Sequence, residues 1–432
     1  MSPDALAIEA LRARLDELVL DHEAELVALR HDLHAHPELS NREVRTAGVV
    51  AAHLRKLGME VRDGIAGHGV IGVLRGGQPG DRVVALRADM DALPVRETTG
   101  LPFASTRVDA DYPGGPFPVA HACGHDCHTA TVLVAASVLA SVLDHLAGTV
   151  MFVFQPAEEG PPIGEIGGAR AMLDAGAFTD PVPTMVFGMH VAPYPAGHIA
   201  HRTGTQFAAS CLVRIALRGE PTHGSMPWLG VDPYPAAATI IIGVGQIYRQ
   251  VPAGNAISVS IGHVDDVGRF NIIGETVTLL GTIRCLVASD MADLQRRVTR
   301  LCENSARAYG CTAEVEFLLP VPPVRNEPAW IEAVLPTLRR VVGPERVVPA
   351  TPTMVNDDVS YFVEQFGGVY LQYGVQDTHM IGDEVAALEG GRGFVPNHHP
   401  AFYAADEALA TSVRVHVNVA VDHLHGMLDV AP

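Results

Sequence analysis

Apolar residues follow two different rhythms along this chain. Between residues 70 and 189 they form short unbroken runs: Val70-Ile71-Gly72-Val73-Leu74, Val83-Val84-Ala85-Leu86, Val150-Met151-Phe152-Val153-Phe154 and Thr184-Met185-Val186-Phe187-Gly188-Met189. Such runs suit strands buried on both faces, as in an α/β sheet. Helical segments alternate with them: an amphipathic charged stretch over residues 11–30, a second over 42–57 stopped by Gly58, and a long apolar helix from about residue 129. The middle of the chain differs. Residues 211–217, 256–262, 276–286 and 312–318 read as strands, and 233–250 and 289–309 as helices. The order β-α-β-β-α-β is that of a ferredoxin-like module. An α/β pattern resumes near residue 328, so the module reads as an insertion. The expected fold is α/β with two domains: a mostly parallel-sheet domain over residues 1–205 and 321–432, and an inserted α+β domain over 206–320.

Residues with chemistry gather after the strands. Asp89 and Asp91 follow the second run, Glu158 and Glu159 follow Phe154-Gln155-Pro156, and His190 follows the last. In open α/β sheets the active site lies beyond the carboxyl ends of the strands. The densest motif is His121-Ala122-Cys123-Gly124-His125-Asp126-Cys127-His128, on a tight loop entering the long apolar helix. Thiolate, imidazole and carboxylate are the ligands of zinc and its first-row neighbours. Gly124 allows the turn through which Cys123 and His125 converge.

Composition narrows the function. A length of 432 residues calls for two domains, and 48% apolar residues suffice for their cores. A formal charge of −19 argues against nucleic acid and anionic membranes as partners. Six scattered cysteines form no disulfide framework, and a thiol inside a metal-type motif must stay reduced. The N-terminal residues are acidic and lack an apolar signal core. Cytoplasmic localisation is the expectation.

Taken together, the motifs Arg87-Ala88-Asp89-Met90-Asp91-Ala92-Leu93-Pro94, His121 to His128, Gln155-Pro156-Ala157-Glu158-Glu159-Gly160, Gly188-Met189-His190 and Asn397-His398-His399-Pro400 are specific. With them the chain resembles the M20 metallopeptidases, in the aminoacylase-like branch that includes hippurate hydrolases and plant auxin-conjugate hydrolases. The resemblance spans nearly the whole chain. It implies a two-metal hydrolase whose inserted domain is a lid and dimerisation domain, with a homodimer as the assembly.

Residue by residue, the resemblance makes Cys123, His125, Glu159, His190 and His398 the metal ligands, with Cys123 bridging the two metals. It favours His398 over His399, and leaves Asp89 outside the ligand set. Asp91 becomes the carboxylate that orients a ligand imidazole. Adjacent carboxylates can divide their duties, and the resemblance makes Glu159 the ligand and Glu158 the general base. Taken alone, His223 in Pro221-Thr222-His223-Gly224-Ser225 is a surface histidine. The resemblance makes it an oxyanion-stabilising residue that acts in a partner subunit's site. Asn271, in Asn271-Ile272-Ile273-Gly274, and Arg284, in Gly281-Thr282-Ile283-Arg284, would hold the substrate carboxylate; Gly274 stands where the family has proline. The implied cofactor is a pair of divalent ions, zinc first, with manganese, cobalt or nickel as alternatives. The expected reaction is hydrolysis of an N-acyl amino acid or a related amide with a free carboxylate. Its rivals are a metallo-carboxypeptidase or dipeptidase, and a metal-holding binding protein without catalysis.

Overall fold

The computed structural model describes residues 3–428 and 430. It divides into two compact units, one of Met1–Gly204, Arg325–Thr351 and Tyr361–Pro432, the other of Thr205–Val324 and Pro352–Ser360. In chain order the first unit contributes α1 (Pro3–Asp21), α2 (Glu23–Ala35), α3 (Val44–Lys56), β1 (Glu60–Ile65), β2 (Gly69–Arg75), β3 (Gln78–Asp89), α4 (His125–Ala140), β4 (Ala147–Gln155), β5 (Met185–Pro195) and β6 (Ile199–His201). The second contributes β7 (Ala209–Arg218), α5 (Tyr234–Val244), β8 (Ile257–Asp266), β9 (Thr276–Cys285), α6 (Asp290–Ala308) and β10 (Thr312–Val321). The chain then returns with α7 (Pro328–Val342), β11 (Val347–Pro349), β12 (Gly368–Gln376) and α8 (Asp406–Leu424).

The first unit is a mixed α/β structure on an eight-stranded sheet ordered β1-β2-β4-β3-β5-β12-β6-β11. Its centre, β4-β3-β5-β12, is parallel throughout. Antiparallel pairings bring in β1, β2 and β6. The central strands are buried along most of their length, which is why they read as unbroken apolar runs. Helix α4 is buried on every side from His125 to Leu139, so it carries no polar stripe.

Four elements depart from the sequence reading. The helix expected from about residue 129 begins at His125, because Gly124, at φ 91°, caps it. His190 lies inside β5 rather than beyond it, since β12 pairs alongside from Gly368↔Val186 to Gln376↔Pro195. Strand β12 itself was not read from the pattern. Gln372 and Gln376 interrupt its apolar run, yet both are buried, and the Gln376 amide bonds the backbone of Val395 and Tyr403. The helix expected over 11–30 is two helices that break at His22, whose ring Nδ1 lies 2.7 Å from Glu25 Oε2 in the acidic first turn of α2.

The second unit is a four-stranded antiparallel sheet, β8-β9-β7-β10, with α5 and α6 packed on it. Burial alternates strictly along β9, as expected of a sheet with one covered face. Leu294, Val298, Cys302 and Ala306 form the buried stripe of α6. Among the described residues no helix is long and apolar enough to cross a membrane.

Candidate metal centre

Four segments of the first unit converge where the parallel strands end. The loop before α4 supplies Cys123, and the first turn of α4 supplies His125. Gly124 between them is irreplaceable: besides its positive φ, a Cβ there would stand 2.2 Å from Val191 Cγ2. The turn after β4 supplies Glu158 and Glu159, strand β5 supplies His190, and the loop before α8 supplies His398. The donor atoms of Cys123, His125 and His190 lie within 4.8 Å of one another, and so do those of Cys123, Glu159 and His398. The two triplets share the Cys123 sulfur.

Hydrogen bonds set the imidazole tautomers. His190 Nδ1 donates to the Val191 carbonyl at 2.7 Å, which puts its lone pair on Nε2, 3.4 Å from Cys123 Sγ. His125 Nδ1 faces Asp91 Oδ1 at 3.3 Å, and its Nε2 is buried without a hydrogen-bond partner. Asp91 also takes the Ser40 hydroxyl at 2.7 Å and the Glu159 N–H at 3.0 Å on Oδ2, so one carboxylate orients a ring and a turn together. His128 is different. Its Nε2 accepts the Val191 N–H at 2.8 Å and its Nδ1 donates to Asp89 Oδ1 at 2.6 Å. Both ring nitrogens are consumed, so His128 has no lone pair left for a metal, although it groups with Asp89 and His125. His399 Nδ1 accepts the Ala401 N–H within its own turn, whereas His398 Nε2 sits 3.2 Å from Glu159 Oε1.

Charge is lopsided in this space. Burial pushes the Cys123 thiol up, and Glu159, Glu158 and Asp89 push it further. Burial alone would lower His125, but Asp89, Asp91 and Glu159 override it and raise the imidazole to about 10. Burial opposes ionisation of Glu159, and His398 and His125 together still bring it down to about 2. By themselves these residues therefore keep protons on His125 and Cys123. Divalent cations fit the set: they would replace those protons, satisfy the orphaned His125 Nε2 and neutralise the carboxylates. Glu158 Oε2, 3.8 Å from His125 Nε2, lies beside the donors.

The remaining candidates belong to the second unit. His223 is exposed and pairs with Ile272 in a two-stranded ladder, which places it next to Asn271. Its Nδ1 accepts the Ser225 N–H at 3.1 Å, so in the neutral ring the proton sits on Nε2. Arg284, on β9, donates to the Met354 carbonyl at 2.8 Å. Gly274 passes so close to Gly268 that a Cβ would meet its nitrogen at 2.7 Å.

Supporting residues were less visible in sequence. Asn397 Nδ2 donates to the carbonyls of Cys123 and Val191, at 3.0 and 3.2 Å, and ties together two segments that carry candidate ligands, beside His398. Arg30, 1% exposed, bonds Asp126, Asp406 and the Ala404 carbonyl and pins α4 to α2 and α8. Its place in Arg30-His31-Asp32-Leu33-His34 was the one available signal.

The sequence pattern of the peptidase family M20/M25/M40 matches residues 85–421. The chain is 31% identical over 405 residues to IAA-amino acid hydrolase ILR1-like 2 of Arabidopsis thaliana, covering 92% of this chain and 85% of that protein. It is 33% identical over 401 residues to thermostable carboxypeptidase 2 of Saccharolobus solfataricus, covering 92% and 94%. Its structure resembles that of a dinuclear metal binding peptidase of the M20 family from Bacillus subtilis. There the TM-score is 0.71 at 30% identity, covering 94% of this chain and 99% of that one.

Proposed function

The chain belongs to peptidase family M20/M25/M40 and is an amide-bond hydrolase of that family, and we propose that it cleaves N-acyl amino acids, or related amides with a free carboxylate, using two divalent metals. The observation that carries the reading is the pair of donor triplets sharing Cys123, with Glu158 beside them. Cys123, His125, Glu159, His190 and His398 hold the metals. The thiolate favours zinc, with manganese, cobalt or nickel as substitutes. Bound there, the metals would supply Lewis acidity and lower the pKa of the attacking water toward about 7.

Glu158 takes the proton of the attacking water and delivers it to the leaving amine, a contribution of roughly 10²–10⁴ in rate. Asp91 keeps the His125 ring and the Glu159 turn in register. Asn271 and Arg284 hold the substrate carboxylate, for which a planar guanidinium is suited. The Nε2–H of His223 donates to the developing oxyanion, worth ~10²–10³. His223 acts from a second copy of the chain, with residues 206–320 as the lid and dimerisation domain and the rest as the catalytic domain. A cytoplasmic location belongs to this reading, because the Cys123 thiol must stay reduced to serve as a ligand. A carboxypeptidase or dipeptidase activity is the second reading, favoured by the Saccharolobus relative.

Turnover of a panel of acyl-amino acids and dipeptides by the purified protein, with and without chelator, separates the two. Glu158→Gln is expected to abolish turnover with both metals retained, and Glu159→Gln to lose metal. The reverse pattern would exchange their roles. Mixing inactive His223→Ala with inactive Glu158→Gln protein is expected to restore partial activity, since one site of each mixed dimer then has both groups. Mixed dimers that form and stay inactive would refute action across copies.

A further inference from the structure

Glu43 is a buried carboxyl that the mechanism above does not use. It is 0% exposed, and its Oε2 has no hydrogen-bond partner. Burying a carboxyl in this way costs stability, so some other requirement keeps it there. Helix capping is not that requirement. Glu43 occupies the N-cap position of α3 but makes no cap bond, and the amides of Arg45 and Thr46 are taken by Glu38 at 3.0 and 2.8 Å.

The Glu43 carboxyl instead reaches across the fold. Its Oε1 accepts the Ala157 N–H at 2.8 Å and the Asn41 N–H at 3.0 Å. Ala157 is where β4 gives way to the turn that carries Glu158 and Glu159. That turn closes with Gly160 N–H on the Ala157 carbonyl at 3.4 Å. Ala157 has φ 52°, a left-handed conformation that is unfavourable for alanine. The far side of the same loop is held from the same segment. Asn41 Nδ2 donates to Glu165 Oε2 and to the Ile166 carbonyl, and Arg42 pairs with Glu165 at 2.8 Å. Residues 41–43 thus grip both ends of the loop that begins with the two glutamates.

We propose that Glu43 is a positioning residue for Glu158: it locks the left-handed turn at Ala157 and so aims the base. This rests on the reading of Glu158 as the general base. Burial and the nearby Asp91 push the Glu43 carboxyl up to about 8. A neutral glutamine, which keeps the acceptor oxygen, is therefore a close mimic.

The test uses full-length protein with metal content measured. Glu43→Ala is expected to lower kcat by about 10- to 100-fold, the order that a small misplacement of a catalytic group costs. KM and metal stoichiometry should hardly move. Glu43→Gln is expected to keep most of kcat. Glycine adopts positive φ freely, so adding Ala157→Gly to Glu43→Ala should raise kcat about fivefold or more. If Glu43→Ala misfolds, Glu43→Gln with and without Ala157→Gly carries the comparison: a kcat loss of about tenfold or more in Glu43→Gln, beyond rescue by glycine, overturns the proposal. Unchanged kcat in Glu43→Ala, or its loss without any rescue by Ala157→Gly, does the same. Activity retained in Glu158→Gln would instead overturn the underlying role of Glu158, a separate outcome.

Discussion

Replacing Asp91 with asparagine tests whether one carboxylate assembles the centre. Its Oδ1 faces His125 Nδ1 at 3.3 Å, and its Oδ2 takes both Ser40 Oγ–H and Glu159 N–H. Asparagine has the same shape but only one acceptor oxygen. If that oxygen faces His125, its NH₂ group confronts the Glu159 N–H. If it turns around, the NH₂ confronts His125 Nδ1–H. Either orientation forfeits at least one charge-assisted hydrogen bond, worth about 1.5–3 kcal/mol. If that loss falls on the metal-bound state, affinity drops roughly 10- to 100-fold, the range typical of residues that orient metal ligands. Competition with a chromophoric chelator measures this on protein stripped and reloaded with zinc. Ser40→Ala, which removes only one Oδ2 partner, should weaken binding less. An Asp91→Asn affinity within about threefold of the parent would refute the reasoning, because it is the Asp91 carboxylate that bonds both the His125 ring and the Glu159 N–H.

Two further outcomes concern the network behind the site. Arg30→Met should cost about 3–5 kcal/mol in urea unfolding, because it strands the buried Asp126 carboxylate without its guanidinium; a cost near zero would mean that His34 alone suffices. His34 is buried, and although burial lowers its pKa, Asp126 and Glu97 raise it to about 9. Its contribution, about 3 kcal/mol, is then present in full below the unfolded value of about 6.5 and lost as pH rises through 9. His34→Gln should remove that part of the decline in unfolding midpoint between those values. Parallel pH curves for parent and variant would contradict it.

What the sequence determined by itself was mostly local. The unbroken runs at 150–154 and 184–189 announced buried strands because both faces of a central parallel sheet are covered. Cys123, Gly124 and His125 announced a convergent loop because covalent spacing alone brings them together. The rhythm of residues 211–318 announced four strands and two helices because one-sided burial imposes alternation on each. Tertiary structure decided the rest. Strand β12 was hidden because buried polar groups can be satisfied by distant backbone, as Gln376 is by Val395 and Tyr403. Only the folded chain shows that His128, three residues from His125, spends both ring nitrogens on Asp89 and Val191, while His125 keeps Nε2 for the centre. Likewise Glu43 and Ala157 meet only in three dimensions. A hydrogen bond depends on the direction of two groups, and for groups this far apart in the chain that direction is set by packing, which no local pattern encodes.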